Sequence, residues 1–225
     1  MATKAEARAR ETLSKERVLR AAVAVADRAG VEGLSMRKVA QELDVVPMAL
    51  YRHVSSKDEM LDGMLELVVD EIDPPRADTD WKTAIRERIL SARRALLRHP
   101  WASRVIETRS DPGPAMLAYM DSMIGLLRAG GFSMDLTHHA MHAMGSRILG
   151  FSQELYEDDA DVDSEVEAEM WAAMAGAYPN IAELVTTVFH DDATVVGGRG
   201  CDDQFEFEFA LDLILDGLER LRDRS

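Results

Sequence analysis

The chain has 225 residues, 47% of them hydrophobic and 30% charged, with a formal net charge of −15. That length builds a substantial core in one or two domains, and the low proline content fits a mostly helical globular protein. The lone Cys201 excludes an internal disulfide framework and points to a reducing compartment.

The polar start, MATKAEARARETLSKER, lacks the apolar segment of a signal peptide, and no apolar run approaches membrane-spanning length. A cytoplasmic protein without a membrane partner is expected. The acidic total argues against a polyanionic partner until its distribution is read. Residues 1–57 hold 11 Lys/Arg against 7 Asp/Glu, whereas residues 58–225 hold 15 against 34. A head of +4 on a body of −19 suits a protein that meets nucleic acid with one end only.

Residues 1–13 form a polar arm with Lys4, Arg8 and Arg10, either an extension that reaches a groove or a solvated tail. From Ser14, the residues Val18, Leu19, Ala22, Val25 and Ala26 recur at helical spacing, and Gly30 ends that helix. The stretch SMRKVAQELDVVPMALYRHVSSK, residues 35–57, then holds two short helical patterns. Ser35 caps the first, with Val39, Ala40 and Leu43 as its apolar stripe. The second opens at Pro47, whose missing N–H would be unpaired there in any residue, and runs to Val54. Leu50 and Val54 face inward, leaving Pro47, Met48, Ala49, Tyr51, Arg52 and His53 outward.

So many exposed donors and aromatic groups contribute little to stability. They suit a helix-turn-helix whose second helix enters the major groove of double-stranded DNA. In that reading Arg37, Lys38, Tyr51, His53 and Lys57 position the phosphates, while Pro47, Met48, Ala49 and Arg52 read base edges and methyl groups. Ser56 and Glu59 form an S-x-x-E capping box that places Lys57 at a helix start suited to a phosphate.

A fourth helix is predicted over 57–72, with Leu61, Met64, Leu65, Val68 and Ile72 on one side, stopped by Asp73-Pro74-Pro75. Residues 73–80 are a linker in composition, so residues 58–80 are set between a head of residues 1–57 and a body of residues 81–225. In the body, helices are predicted from Trp81 to His99, over 101–107, from Pro114 to Gly130 and from Ser133 to Tyr156. Glu157–Glu169 is acidic, 171–189 is helical in parts with an interruption at Pro179-Asn180, and 190–203 is a loop. The last helix, 203–222, carries Phe207, Leu211, Ile214, Leu218 and Leu221 in one stripe and Phe205, Phe209 and Leu213 beside it. Two apolar flanks exceed what one core contact needs. The first stripe is assigned to a homodimer interface, with burial of both flanks inside one chain as the alternative. No strand alternation of useful length is present, and the fold class is all-α.

Catalytic constellations are absent. His138, His139 and His142 cluster without a third ligand position or an H-E-x-x-H pattern, Asp158 to Asp163 does not fit a calcium loop, and GGRG at 197–200 lacks the lysine of a phosphate loop. Neither enzyme activity nor a metal or other cofactor is expected. Methionines recur on the body helices, where they either fill core gaps or line a cavity for an apolar ligand.

The pattern Leu43, Val45, Leu50, Tyr51, His53, Val54 and Lys57, preceded by GLSMRKVAQ, closely resembles the DNA-binding domain of the tetracycline-repressor family. The resemblance continues more loosely through Asp80-Trp81, LLRHP at 96–100, Gly131-Phe132-Ser133 and the segment Phe209 to Arg220. It implies a three-helix DNA-binding domain joined by the bridging helix to a helical ligand-binding and dimerisation domain. It also implies a pocket, assigned to Met64, Val68, Arg88, Ala92, Ile106, Arg109, Met116, Met120, Met123, Met144 and Ile148. Where drug-binding members carry the histidine that holds a drug-chelated magnesium, this chain has Ile106. Ser146 replaces a second histidine, and Arg88 an asparagine that holds the drug. Magnesium–tetracycline is therefore not the expected effector. Arg88, Arg93 or Arg109 would meet a polar or anionic group on an otherwise apolar small molecule. Two departures touch the head: Asp44 stands at the usual turn glycine, and Val46 at the usual Ser/Thr cap. The reading is a homodimeric repressor released from a palindromic operator by a small molecule, with a regulator lacking such an effector as the alternative.

Overall fold

The computed structural model describes residues 12–109, 111–150, 176–180, 183 and 203–224. Among these, every regular element is an α-helix: α1 Lys15–Ala29, α2 Met36–Glu42, α3 Pro47–Leu50, α4 Lys57–Val69, α5 Trp81–Arg98, α6 Trp101–Glu107, α7 Pro114–Ala129, α8 Met134–Gly150 and α9 Asp203–Arg222. The chain forms two compact units, residues 1–142 with 224–225, and residues 143–223. The arm, the acidic segment, GGRG and Cys201 lie outside the described residues.

Local chemistry sets most helix starts in the first unit. The hydroxyls of Ser14, Ser35 and Ser56 accept from the N–H groups of Arg17, Lys38 and Glu59, and the Asp80 carboxylate accepts from those of Lys82 and Thr83. Each such cap stabilises its helix by about 1 kcal/mol. Gly30, at φ 68°, ends α1 in a conformation that favours glycine.

One apolar core joins Val18, Leu19, Ala22, Val25 and Ala26 of α1, Val39 and Ala40 of α2, Leu50 of α3, and Met60, Leu61, Met64 and Val68 of α4. Ala95, Trp101, Ala102 and Val105 from α5 and α6 complete it. Full burial of such Val, Leu or Met side chains stabilises by about 1.5–3 kcal/mol each. Helix α4 also crosses α1 closely at Gly63, where a Cβ would lie 2.7 Å from Leu19 Cδ1. The bridging helix is therefore packed into the head rather than hung below it. It ends at Val69 instead of Ile72, and single turns carry the chain on to Ile72, which still packs on the core.

In the second unit, the Arg147 guanidinium lies 5.1 Å over the Phe207 ring and donates to the Glu206 carbonyl. Helix α9 corrects the assignment of its two stripes. Phe207, Leu211 and Leu218 are buried within the chain together with Leu215, whereas Phe205, Phe209, Leu213 and Leu221 are exposed. Three residues assigned to the dimer face thus serve the chain's own packing; Ile214 is half-buried and Leu221 alone of that set is open. The interruption expected at Pro179-Asn180 falls at 176–178, and residues 179–180 are already helical, in keeping with proline's suitability for a first turn.

Candidate nucleic-acid interface and the body behind it

The head presents a helix-turn-helix built on few buried residues. Leu50 and Val54 are buried, and the backbone between α2 and α3 turns at Asp44, whose φ of 55° is left-handed. Asp tolerates that region less well than glycine but better than most residues. Val46 gives α3 no side-chain cap, and Pro47 opens the helix. Helix α3 is shorter than expected. His53 N and Val54 N both donate to the Leu50 carbonyl, so Tyr51–His53 form a closing turn rather than a continued helix.

Of the six residues expected to face outward from Pro47 to His53, four are exposed and two are not. Met48 is 74% and Val46 68% exposed, Tyr51 is half-exposed, and Pro47, Arg52, Arg37 and Lys38 are open, with Ala49 and His53 half-buried. Lys57 differs in its surroundings. Its Nζ donates to the Val31 carbonyl at 3.3 Å, and the neighbouring capping box is shifted by one residue. Glu59 accepts from Ser55 N and Ser55 Oγ rather than from Ser56 N, and Lys15 Nζ pairs with it at 2.7 Å. The Lys15 hydrogen bond, aided by those of Ser55, holds the Glu59 carboxyl down at about 2. An ionised carboxylate therefore stands two residues from Lys57.

Behind the head, carboxylates fix α4 along its length. Asp58 and Asp62 pair with Arg109 at 3.3 and 3.0 Å, and Glu66 accepts from Ala115 N at 2.8 Å, supplying the cap that Gly113 cannot give α7. At the far end Glu71 meets Arg98 and one nitrogen of the buried His99, whose other nitrogen lies 2.8 Å from Asp27 of α1. Trp101 Nε1 donates to the same Asp27 oxygen. Burial raises the Glu71 pKa, but the Arg98 and His99 contacts outweigh it and lower the value. Asp73 is tied to α5 by Ser91, Arg94 and Arg88. These carboxylate partnerships join residues far apart in sequence, beyond the reach of local patterns such as LLRHP.

The residues assigned to a pocket have differing surroundings in the first unit. Met64 and Val68 belong to the shared core, Arg109 is paired with α4, and Met120 is exposed. Ala92 and Met123 are buried, while Ile106 and Met116 are half-buried. In the second unit Met144 is buried and Ile148 half-buried. A cleft of about 330 Å³ between residues 73–76 and α5 includes Arg88 but no other member of that set. Sequence reasoning missed Tyr119, whose ring lies under the Arg88 guanidinium at 4.9 Å; its signal was a lone polar aromatic between Met116 and Met123. His138 lies 5.5 Å from His139 and 4.6 Å from His142 between ring centroids, all exposed. Among the described residues no group of three or more His, Cys, Asp or Glu could hold a metal, and no helix is long and apolar enough to cross a membrane.

Comparison with known proteins agrees with this geometry. Residues 18–64 match the family described as bacterial regulatory proteins, tetR family, and residues 74–222 match the tetracyclin repressor-like C-terminal domain. The chain is 33% identical over 223 residues to the HTH-type transcriptional repressor DrrR1 of Streptomyces coeruleorubidus, covering 93% of this chain and 78% of that protein. It is 28% identical to the tetracycline repressor protein class C of Escherichia coli, covering 93% and 92%. Among solved structures, Streptomyces coelicolor ActR in complex with actinorhodin superposes with a TM-score of 0.73 at 25% identity, covering 94% of this chain and 99% of that one. The chain belongs to the tetracycline-repressor family and is a DNA-binding transcriptional regulator, not an enzyme.

Proposed function

We propose that the protein is a homodimeric repressor that binds a palindromic operator through α2 and α3 and is released by a small organic molecule held in the body. The observation that carries this reading is the packing of α4. One helix shares its core with the reading head and with Ala95, Trp101, Ala102 and Val105 of the body, so a shift of body helices reaches the head through it. Two operator half-sites require two heads. The exposed stripe Phe205, Phe209 and Leu213 on α9 supports dimerisation. We divide the chain by role into head (1–57), bridge (58–80) and body (81–225). Cytoplasmic residence follows from the DNA partner.

DrrR1 is a repressor by name and ActR is solved with actinorhodin; both support repression and a small organic effector here. A coupling free energy of about 1–3 kcal/mol between effector and operator, typical of such linkage, corresponds to roughly 5- to 150-fold in affinity. The competing reading, a regulator without a small-molecule effector, is favoured by the burial of Met64 and Val68 in the shared core. Screening small molecules for release of the protein from its operator decides between them. Release by at least one compound, with retained dimerisation, supports the effector; an operator complex indifferent to a broad aromatic and aliphatic set supports the alternative.

A further inference from the structure

Arg88 is 92% removed from solvent, being only 8% exposed. Its contacts are the Asp73 carbonyl, to which Nη1 donates at 2.8 Å, and the Tyr119 ring. It makes no ion pair among the described residues, and its Nε is buried without a hydrogen-bond partner. The Tyr119 hydroxyl, on the other member of the same stacked pair, is likewise buried and unpartnered. A buried cation without a counter-ion is costly, and so is each unmade buried hydrogen bond. Two such orphans in touching side chains call for a common explanation.

The chemistry of the missing partner follows from what the pair offers. Burial pushes the Tyr119 phenol up to about 12, against the opposing pull of Arg88, so it remains a protonated donor at neutral pH. Arg88 offers an N–H donor and a positive charge and has no acceptor. The complement is an oxygen that accepts two hydrogen bonds and carries negative charge. One turn away on either side of Tyr119, Met116 and Met123 share its face of α7, and thioethers accommodate aromatic and aliphatic bodies alike.

We propose that Arg88 Nε and the Tyr119 hydroxyl are the recognition end of the effector site, and that the effector is a largely apolar organic acid whose ionised oxygen accepts from both. This deepens the proposed function and rests on its effector reading. The same guanidinium reports binding to the bridge. Asp73, just beyond α4, is fastened to α5 by its N–H to Ser91 Oγ, by its carboxylate to Ser91 and Arg94, and by its carbonyl to Arg88. An acid that draws Arg88 toward Tyr119 loosens the last of these, at the end of the helix that carries the head.

The test uses two fluorophores that differ by one acidic group, 8-anilinonaphthalene-1-sulfonate and its uncharged parent N-phenyl-1-naphthylamine, titrated into the full-length protein. The wild type is expected to bind the sulfonate more tightly than the amine. Arg88→Gln should weaken sulfonate binding by about tenfold, the scale of a charge-assisted hydrogen bond, and leave the amine unchanged. Tyr119→Phe should weaken the sulfonate several-fold. Because it removes only an unpartnered hydroxyl, its folding matches or exceeds the wild type, which keeps the test valid if Arg88→Gln disturbs Asp73. Binding of both dyes that neither variant alters would overturn the Arg88–Tyr119 site while leaving an effector site in place. Absence of binding by either dye would overturn the effector reading and this inference with it.

Discussion

Exposed side chains on the closing turn of the head carry the proposed sequence discrimination. Arg52 is free of intramolecular partners among the described contacts and lies beside exposed Met48 and Tyr51. A bidentate arginine–guanine contact discriminates by about 1–3 kcal/mol, so Arg52→Ala should flatten base preference at one position of each half-site. Selection from a randomised operator library checks this; an unchanged consensus would assign Arg52 to the phosphates instead. Glu59 gives a second residue-level prediction. Its pKa is lowered from 4.5 to about 2 by Lys15 and Ser55, so the folded state binds its proton less readily than the unfolded chain. The associated stability is fully present above 4.5 and is lost as pH falls through about 2. Denaturant titration across that window should show a smaller acid-induced loss in Glu59→Gln than in the wild type.

Helices, taken one at a time, are tied to each other by groups that only the folded chain brings together. Glu66 caps α7 from α4, so Glu66→Ala should destabilise the protein by about 0.5–2 kcal/mol, as loss of a cap does. Equilibrium unfolding measures it, and a value near zero would mean that solvent caps α7 equally well. This element scale is also where sequence reading succeeds and stops. The starts of α1, α2, α4 and α5 were legible because Ser14, Ser35, Ser56 and Asp80 act on N–H groups two or three residues away. The ends were less so: α3 closes early because two N–H groups converge on Leu50. On α9, both stripes are apolar at the same spacing, so period alone does not say which turns inward. Asp27 carries no local signal of its role, since its partners His99 and Trp101 lie 72 and 74 residues along the chain. The Arg88–Tyr119 pair was hidden for the same reason, its two members standing on different helices.

At the scale of the whole molecule, the proposal requires two heads held together by bodies carrying strong negative charge. The open stripe on α9 makes the dimer prediction specific. Phe209→Asp, at an exposed position, should give folded monomers with weakened operator binding, whereas Leu211→Asp, at a fully buried one, should prevent folding. Sedimentation and circular dichroism separate these outcomes, and a Phe209→Asp protein that stays dimeric would place the interface elsewhere. The central claim, that this head reads a specific DNA sequence, is tested most directly by fluorescence anisotropy on DNA from immediately upstream of the gene, against scrambled DNA, at one near-physiological salt concentration. Specific binding is typically tighter than non-specific binding by a factor of about 10³–10⁷. The account predicts a large preference of this kind for the upstream DNA, diminished by Arg52→Ala. Equal weak binding to upstream DNA, scrambled DNA and a genome-wide selection pool would contradict it.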